Sequence, residues 1–219
     1  MNIAALNHQL YKIYKDFWQT TYSKLPKDKG LSAPLFIKVQ DDYNVYQHLF
    51  MMVGQQTRGW FDYKLNDADP ASYLMTEYIK FHMGKDYAKS PFGNAAKSLN
   101  EKLSPAGYGY IWSNLIKVDQ DKRCPDREII DCICQSGLLQ REIEILKPKA
   151  VVFFTGPYYD NIIETLFPGI RFETLEGKYL YRLVHPTLPF HCYRTYHPNA
   201  LRFQRKTKDI LERIISYLG

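Results

Sequence analysis

No apolar run in the sequence approaches the roughly 18 residues needed to cross a bilayer, so a membrane-spanning role is not expected. Cysteine is scarce. Cys124, Cys132, Cys134 and Cys192 are the only four in 219 residues, too few for a disulfide scaffold, and a reducing cytoplasm is the expected compartment. The first eight residues, MNIAALNH, lack the basic start and apolar core of a secretory signal. Internal repeats and low-complexity tracts are missing. So are a phosphate-binding G-x-x-x-x-G-K-[ST] loop, a G-x-S-x-G elbow and a G-x-G-x-x-G fingerprint, which removes the usual nucleotide-binding and serine-hydrolase readings. Glycine and proline, 12 each, are too few for a collagen-like chain.

What is present is ordinary globular composition, 45% hydrophobic and 24% charged. The length suits one domain. Aromatics are plentiful, with 18 Tyr, 12 Phe and 3 Trp, available to a core or to stacking. The net charge is +6, which favours polyanionic partners without specifying one.

Periodicity predicts an N-terminal helix over 5–24, carried by Leu6, Leu10, Ile13, Tyr14 and Phe17. Residues 1–30 are thus expected to be a helical extension packed on a single domain, 31–219. Strands are expected at 48–53, 108–113, 150–154, 178–184 and 190–196. Helices are expected at 72–83, 95–103, 127–147, 158–167 and 200–218, with Ser90 to Asn94 as a turn. The final helix carries a basic face, Arg202, Arg205, Lys206, Lys208 and Arg213. Continuous apolar strands alternating with helices predict a three-layer α/β/α sandwich with a mostly parallel sheet. In such sheets ligands bind beyond the carboxyl ends of the strands. Gly54-Gln55-Gln56, Asn114 and His197-Pro198 each follow an expected strand and should converge there.

Those segments, Gly54-Gln55-Gln56-Thr57, Asn114-Leu115 and His197-Pro198-Asn199-Ala200-Leu201, resemble in order the motifs of the uracil-DNA glycosylase superfamily. The stretch from Cys132 to Gly156 is similar to the helix-then-strand of its bacterial iron–sulfur branch. The likeness covers roughly residues 45–218. It implies a catalytic loop at Gln56, a base-reading Asn114 and a His197 that stabilises the departing base, in an enzyme that excises uracil or another damaged base from DNA. Breaking an N-glycosidic bond builds positive charge on the sugar and negative charge on the base. An Asn can read a base edge with both a donor and an acceptor, and an aromatic ring can floor the pocket.

Accordingly Gln56 and His197 are the candidate catalytic residues, and Gln55, Asn114, Phe92 and Trp60 the candidate base-binding ones. Arg58, Asn199 and Arg202 are candidates for the nucleic-acid backbone. Gln56 departs from the classical uracil enzymes, which carry an acidic residue there; other branches use Asn. Asp62 stands nearby as a substitute. The neutral Gln56 leaves open a second reading, a protein that binds a base, nucleotide or nucleic acid without cleaving it. Asn114 is open to a capping role, Trp60 and Phe92 to packing, and the basic helical face to plain solvation. His185-Pro186 repeats the His-Pro dipeptide, but His197 is preferred because a helix starts after it. The N-terminal cysteine pair of the iron–sulfur branch is missing, and no cluster or zinc spacing is found. No cofactor or metal is expected; DNA is the expected partner and a monomer the expected state.

Overall fold

A computed structural model of the chain describes residues 2–40, 50–61, 68–81, 89–103 and 110–218. The start of the first expected strand (48–49), Asp62, the end of the helix expected at 72–83 and residues 108–109 of the second strand lie outside the described residues.

Six strands form one sheet: β1 (Phe50–Gln56), β2 (Tyr110–Ile116), β3 (Ala150–Phe154), β4 (Arg171–Glu176), β5 (Leu180–Val184) and β6 (His191–Thr195), in the order β2-β1-β3-β6-β5-β4. β2, β1, β3 and β6 are parallel, and β5 and β4 add an antiparallel edge. Every residue of β2 and β3 is buried. Since strand side chains alternate between faces, both faces must be covered. On one face lie α3 (Pro91–Leu103), α7 (Pro198–Phe203) and α8 (Thr207–Leu218): Phe92 meets Trp112 and Phe154, and Tyr217 stacks on Tyr193. On the other lie α1 (Ile3–Thr20), α4 (Arg127–Gln135), α5 (Leu138–Leu146) and α6 (Asp160–Leu166). α2 (Pro70–Lys80) packs beside α1 and sends the Tyr78 hydroxyl to the Trp112 backbone.

α1 shares the common core. Leu6, Leu10, Ile13, Tyr14 and Phe17 are buried, and the Tyr14 hydroxyl donates to Glu142 (2.9 Å) on α5. Glu142 also receives Ser113 from β2 (3.0 Å) and pairs with Lys117 just beyond β2. Both charged groups are essentially inaccessible, at 0% and 1%. Burial pushes Lys117 down and Glu142 up, while their mutual attraction and the hydrogen bonds oppose it.

Several sequence expectations change. Ser90 to Asn94 is not a turn: Pro91 is the first residue of α3. Proline needs no backbone donor at that position, and the Ser90 hydroxyl accepts the Gly93 N–H (2.9 Å). The helix expected over 127–147 is two, parted at Gly137, whose φ of +63° lies in the left-handed region and ends the first. The terminal helix is likewise two, separated near Arg205. β4 was not anticipated, and it makes β5 half of an antiparallel hairpin. Neither Gly54-Gln55-Gln56 nor Asn114 follows its strand: β1 runs on to Gln56 and β2 to Ile116, so both segments lie within them. Among the described residues, no helix is long and apolar enough to cross a membrane.

Candidate functional site

β1 is the pivot. The chain leaves it toward β2 on one side, whereas β3 leads toward β6 on the other, so the carboxyl ends of β1 and β3 part to form a crevice. The cleft there has a volume of about 680 Å³, within the usual range for ligand pockets. Of the residues the sequence nominated, all but Asp62, which lies outside the described residues, line it: Gln55, Gln56, Arg58 and Trp60 from β1 and the loop after it, Phe92 from α3, Asn114 from β2, and His197, Asn199 and Arg202 from α7 and its cap. His185 takes no part. β5 runs antiparallel to β6, so its carboxyl end faces the opposite edge of the sheet, where His185 contacts Thr187 and the Pro168 carbonyl.

The floor is built by register. Gly54 pairs with Asn114 across β1 and β2. A Cβ on Gly54 would lie 2.4 Å from Asn114 Oδ1, so only glycine lets that amide lie flat against the sheet. Trp112 Nε1 donates to the same Oδ1 (3.1 Å). Gly54→Ala is therefore expected to expel the amide from its seat, lowering stability by about 1–3 kcal/mol as overpacking does. Thermal unfolding reads this; wild-type stability in the variant would contradict the geometry.

Gln55 and Gln56 point to opposite faces. Gln55 Nε2 donates to the Thr155 carbonyl (2.8 Å), bracing the β3 exit. Gln56 Oε1 accepts the Tyr159 hydroxyl (2.7 Å). Burial, reinforced by the neighbouring Cys124, holds the Tyr159 phenol above its ordinary range, so it stays protonated as a donor. The following loop is anchored by Asp119, whose two oxygens take the N–H groups of Gly59 (2.7 Å) and Lys122 (2.8 Å).

His197 caps α7, its Nδ1 accepting the Asn199 N–H (3.2 Å). Its ring lies 6.1 Å from Phe92, inclined by 28°. Burial holds the imidazole below its ordinary 6.5. Near neutral pH it is uncharged, and with Nδ1 accepting, its proton sits on Nε2. The unfolded chain binds this proton at pH values where the folded one does not. Acidification from 6.5 downward thus removes stability until the folded imidazole also titrates. In NMR titration the His197 Cε1–H should report a midpoint under 6.5; a midpoint at or above it would contradict this burial.

Phe92 and Trp60 stand in the wall, though packing claims most of each ring. Phe92 is 7% exposed, and Trp60 meets Phe61, Phe81 and Trp112 edge-on at 5.0–5.7 Å. The rim is cationic, with Arg58, Lys122 and Arg202 exposed. No Asp or Glu is among the described residues of the lining. Asn199 Oδ1 accepts from Arg202 (3.1 Å). The rest of the expected basic face is largely ion-paired at the surface, Lys206 with Asp209, Lys208 with Glu212 and Arg213 with Glu176. Trp112, Tyr159, Asp119 and Lys122 carried no sequence signal; tertiary contact alone brings them to the site. All four cysteines are free thiols, and among the described residues no three His, Cys, Asp or Glu gather as metal ligands would.

The chain matches no protein-family model, and no curated protein is significantly similar to it.

Proposed function

We propose that the protein belongs with the uracil-DNA glycosylases in fold and acts on a nucleobase drawn out of DNA, hydrolysing its N-glycosidic bond. One observation carries the reading. Three segments remote in sequence, around Gln56, Asn114 and His197, share one cleft at the carboxyl edge of the sheet. Aromatic walls suit a flat ring, and the rim of Arg58, Lys122 and Arg202 suits flanking phosphates. In the proposed reaction the C1′–N bond breaks and its electron pair leaves with the base. His197 Nε2–H donates to the charge that develops there. Water adds its oxygen to C1′ and releases a proton. Gln56 stands beside this centre as a neutral, Tyr159-held amide, able to orient water but not to oppose the sugar's positive charge.

A second reading rests on that neutrality. A cleft whose described lining holds no carboxylate suits a protein that binds the base and leaves the bond intact. The first reading, and the nucleic-acid form of the second, require DNA to sit on the cationic rim. Titration of labelled single- and double-stranded DNA at two salt concentrations is expected to give a log–log slope of about −0.9 per phosphate neutralised on duplex. Arg58→Ala, Lys122→Ala and Arg202→Ala should each make the slope shallower by about one contact. No binding even at low salt would remove the DNA-cleaving reading and leave a free base or nucleotide as the ligand of the second.

A further inference from the structure

The floor of the cleft offers hydrogen-bond donors and withholds acceptors. Asn114 is 2% exposed. Trp112 Nε1, which can only donate, fixes which end of the Asn114 amide is oxygen and occupies it at 3.1 Å. The same oxygen is turned onto Gly54, where there is room for no side chain. Asn114 Nδ2, at the other end, has no hydrogen-bond partner among the described residues. A buried amide nitrogen left this way calls for an incoming acceptor. Gln56 adds a second amide to the lining, its Oε1 taken by Tyr159. Neutral His197 presents Nε2–H because Nδ1 is taken. Trp60 Nε1, on the same lining, is a further buried donor without a described partner.

We infer that this cleft selects a 6-oxopurine, hypoxanthine or guanine, through its adjacent O6 and N7 acceptors, in preference to uracil. The inference rests on the base-recognition reading above and names the substrate class of that site. Uracil alternates acceptor, donor and acceptor along its pairing edge. With Asn114 Oδ1 already occupied, its N3–H would be buried without an acceptor, which weakens binding by roughly 5- to 150-fold. Adenine sets an N6 donor beside N7, and cytosine presents an N4 donor. Only the oxopurine edge shows two neighbouring acceptors. A bare phosphate would also take donors, but the Phe92, Trp60 and Trp112 rings around the floor suit a flat ring instead.

The test uses the full chain and labelled single-stranded oligonucleotides that differ at one central nucleotide. That nucleotide is inosine, guanosine, 7-deazaguanosine, uridine or an abasic analogue, with 2′-fluoro sugars at the base-bearing positions to keep the glycosidic bond intact. Inosine and guanosine are expected to bind about tenfold or more tightly than uridine, and the 7-deaza nucleotide to lose about tenfold through its missing acceptor. Trp112→Phe frees Asn114 Oδ1 and should narrow the inosine-to-uridine gap; Asn114→Asp, which replaces the donor with an acceptor, should erase it. Uridine binding as tightly as inosine, with the abasic strand much weaker, would overturn the oxopurine preference and leave base recognition standing. Equal binding of all five strands, displacement by inorganic phosphate as efficient as by hypoxanthine, or no binding at all would overturn base recognition itself.

Discussion

Lys117→Ala is expected to lower stability by about 3–5 kcal/mol, because it strands the buried Glu142 carboxylate without its cation. For a chain of this length that is a fall of roughly 6–20 °C in Tm. The expectation follows from burial: Lys117 and Glu142 are 1% and 0% accessible, and Glu142 is held by three groups, Tyr14 on α1, Ser113 on β2 and Lys117 just beyond β2. Glu142→Gln should cost less than stranding the carboxylate, although its single amide oxygen can keep only one of the bonds that Tyr14 and Ser113 make to the two carboxylate oxygens. Replacing both ions, as in Lys117→Met with Glu142→Leu, should recover much of the loss, as buried pairs exchanged for apolar groups of similar size commonly do. Chemical denaturation of the three variants decides it. A Lys117→Ala protein within 1 kcal/mol of wild type would mean that the pair is not closed as described.

His197→Ala is expected to reduce glycosidic cleavage on the order of 100- to 1000-fold, the usual effect of deleting one preorganised donor to developing charge. Folding should survive, because the imidazole is only half-buried and its one described backbone bond is the cap to Asn199. An unchanged Tm with lost rate separates the chemical role from a structural one. Gln56→Asp restores a negative charge beside the sugar and should raise the rate on the same substrate. Full activity in His197→Ala would show that the departing base is stabilised elsewhere. If wild type and Gln56→Asp are both inert on every lesion while a base still binds, the non-catalytic reading holds.

Much of the central sheet could be read from sequence because parallel strands buried on both faces are continuous apolar runs. Phe50 to Val53 and Ala150 to Phe154 are examples. β4 escaped notice because its residues, Arg171 to Glu176, lie half in solvent at the edge of the sheet and leave no apolar stretch. Ser90 to Asn94 was misjudged because proline and glycine mark turns and helix starts alike; only the Ser90 bond to Gly93 tells them apart. The candidate site was legible as three segments, although two of them, Gly54 to Gln56 and Asn114, lie inside their strands and not beyond them. Its hydrogen-bond polarity was not, because that depends on Trp112 reaching two residues along β2 to Asn114 and on Tyr159 reaching across to Gln56. Sequence chemistry assigned Asn114 both a donor and an acceptor for the base; the packing leaves it the donor.

The most direct test of the central claim, that this cleft holds a nucleobase, is the side-chain amide resonance of Asn114 during titration with two otherwise identical oligonucleotides, one bearing a central base and one an abasic analogue. The account predicts that the Asn114 Nδ2 protons shift with the base-bearing strand and stay in place with the abasic strand, while backbone amides near Arg58 and Arg202 respond to both. Identical spectra for the two strands at Asn114, or a base-dependent shift confined to another face of the sheet, would contradict it.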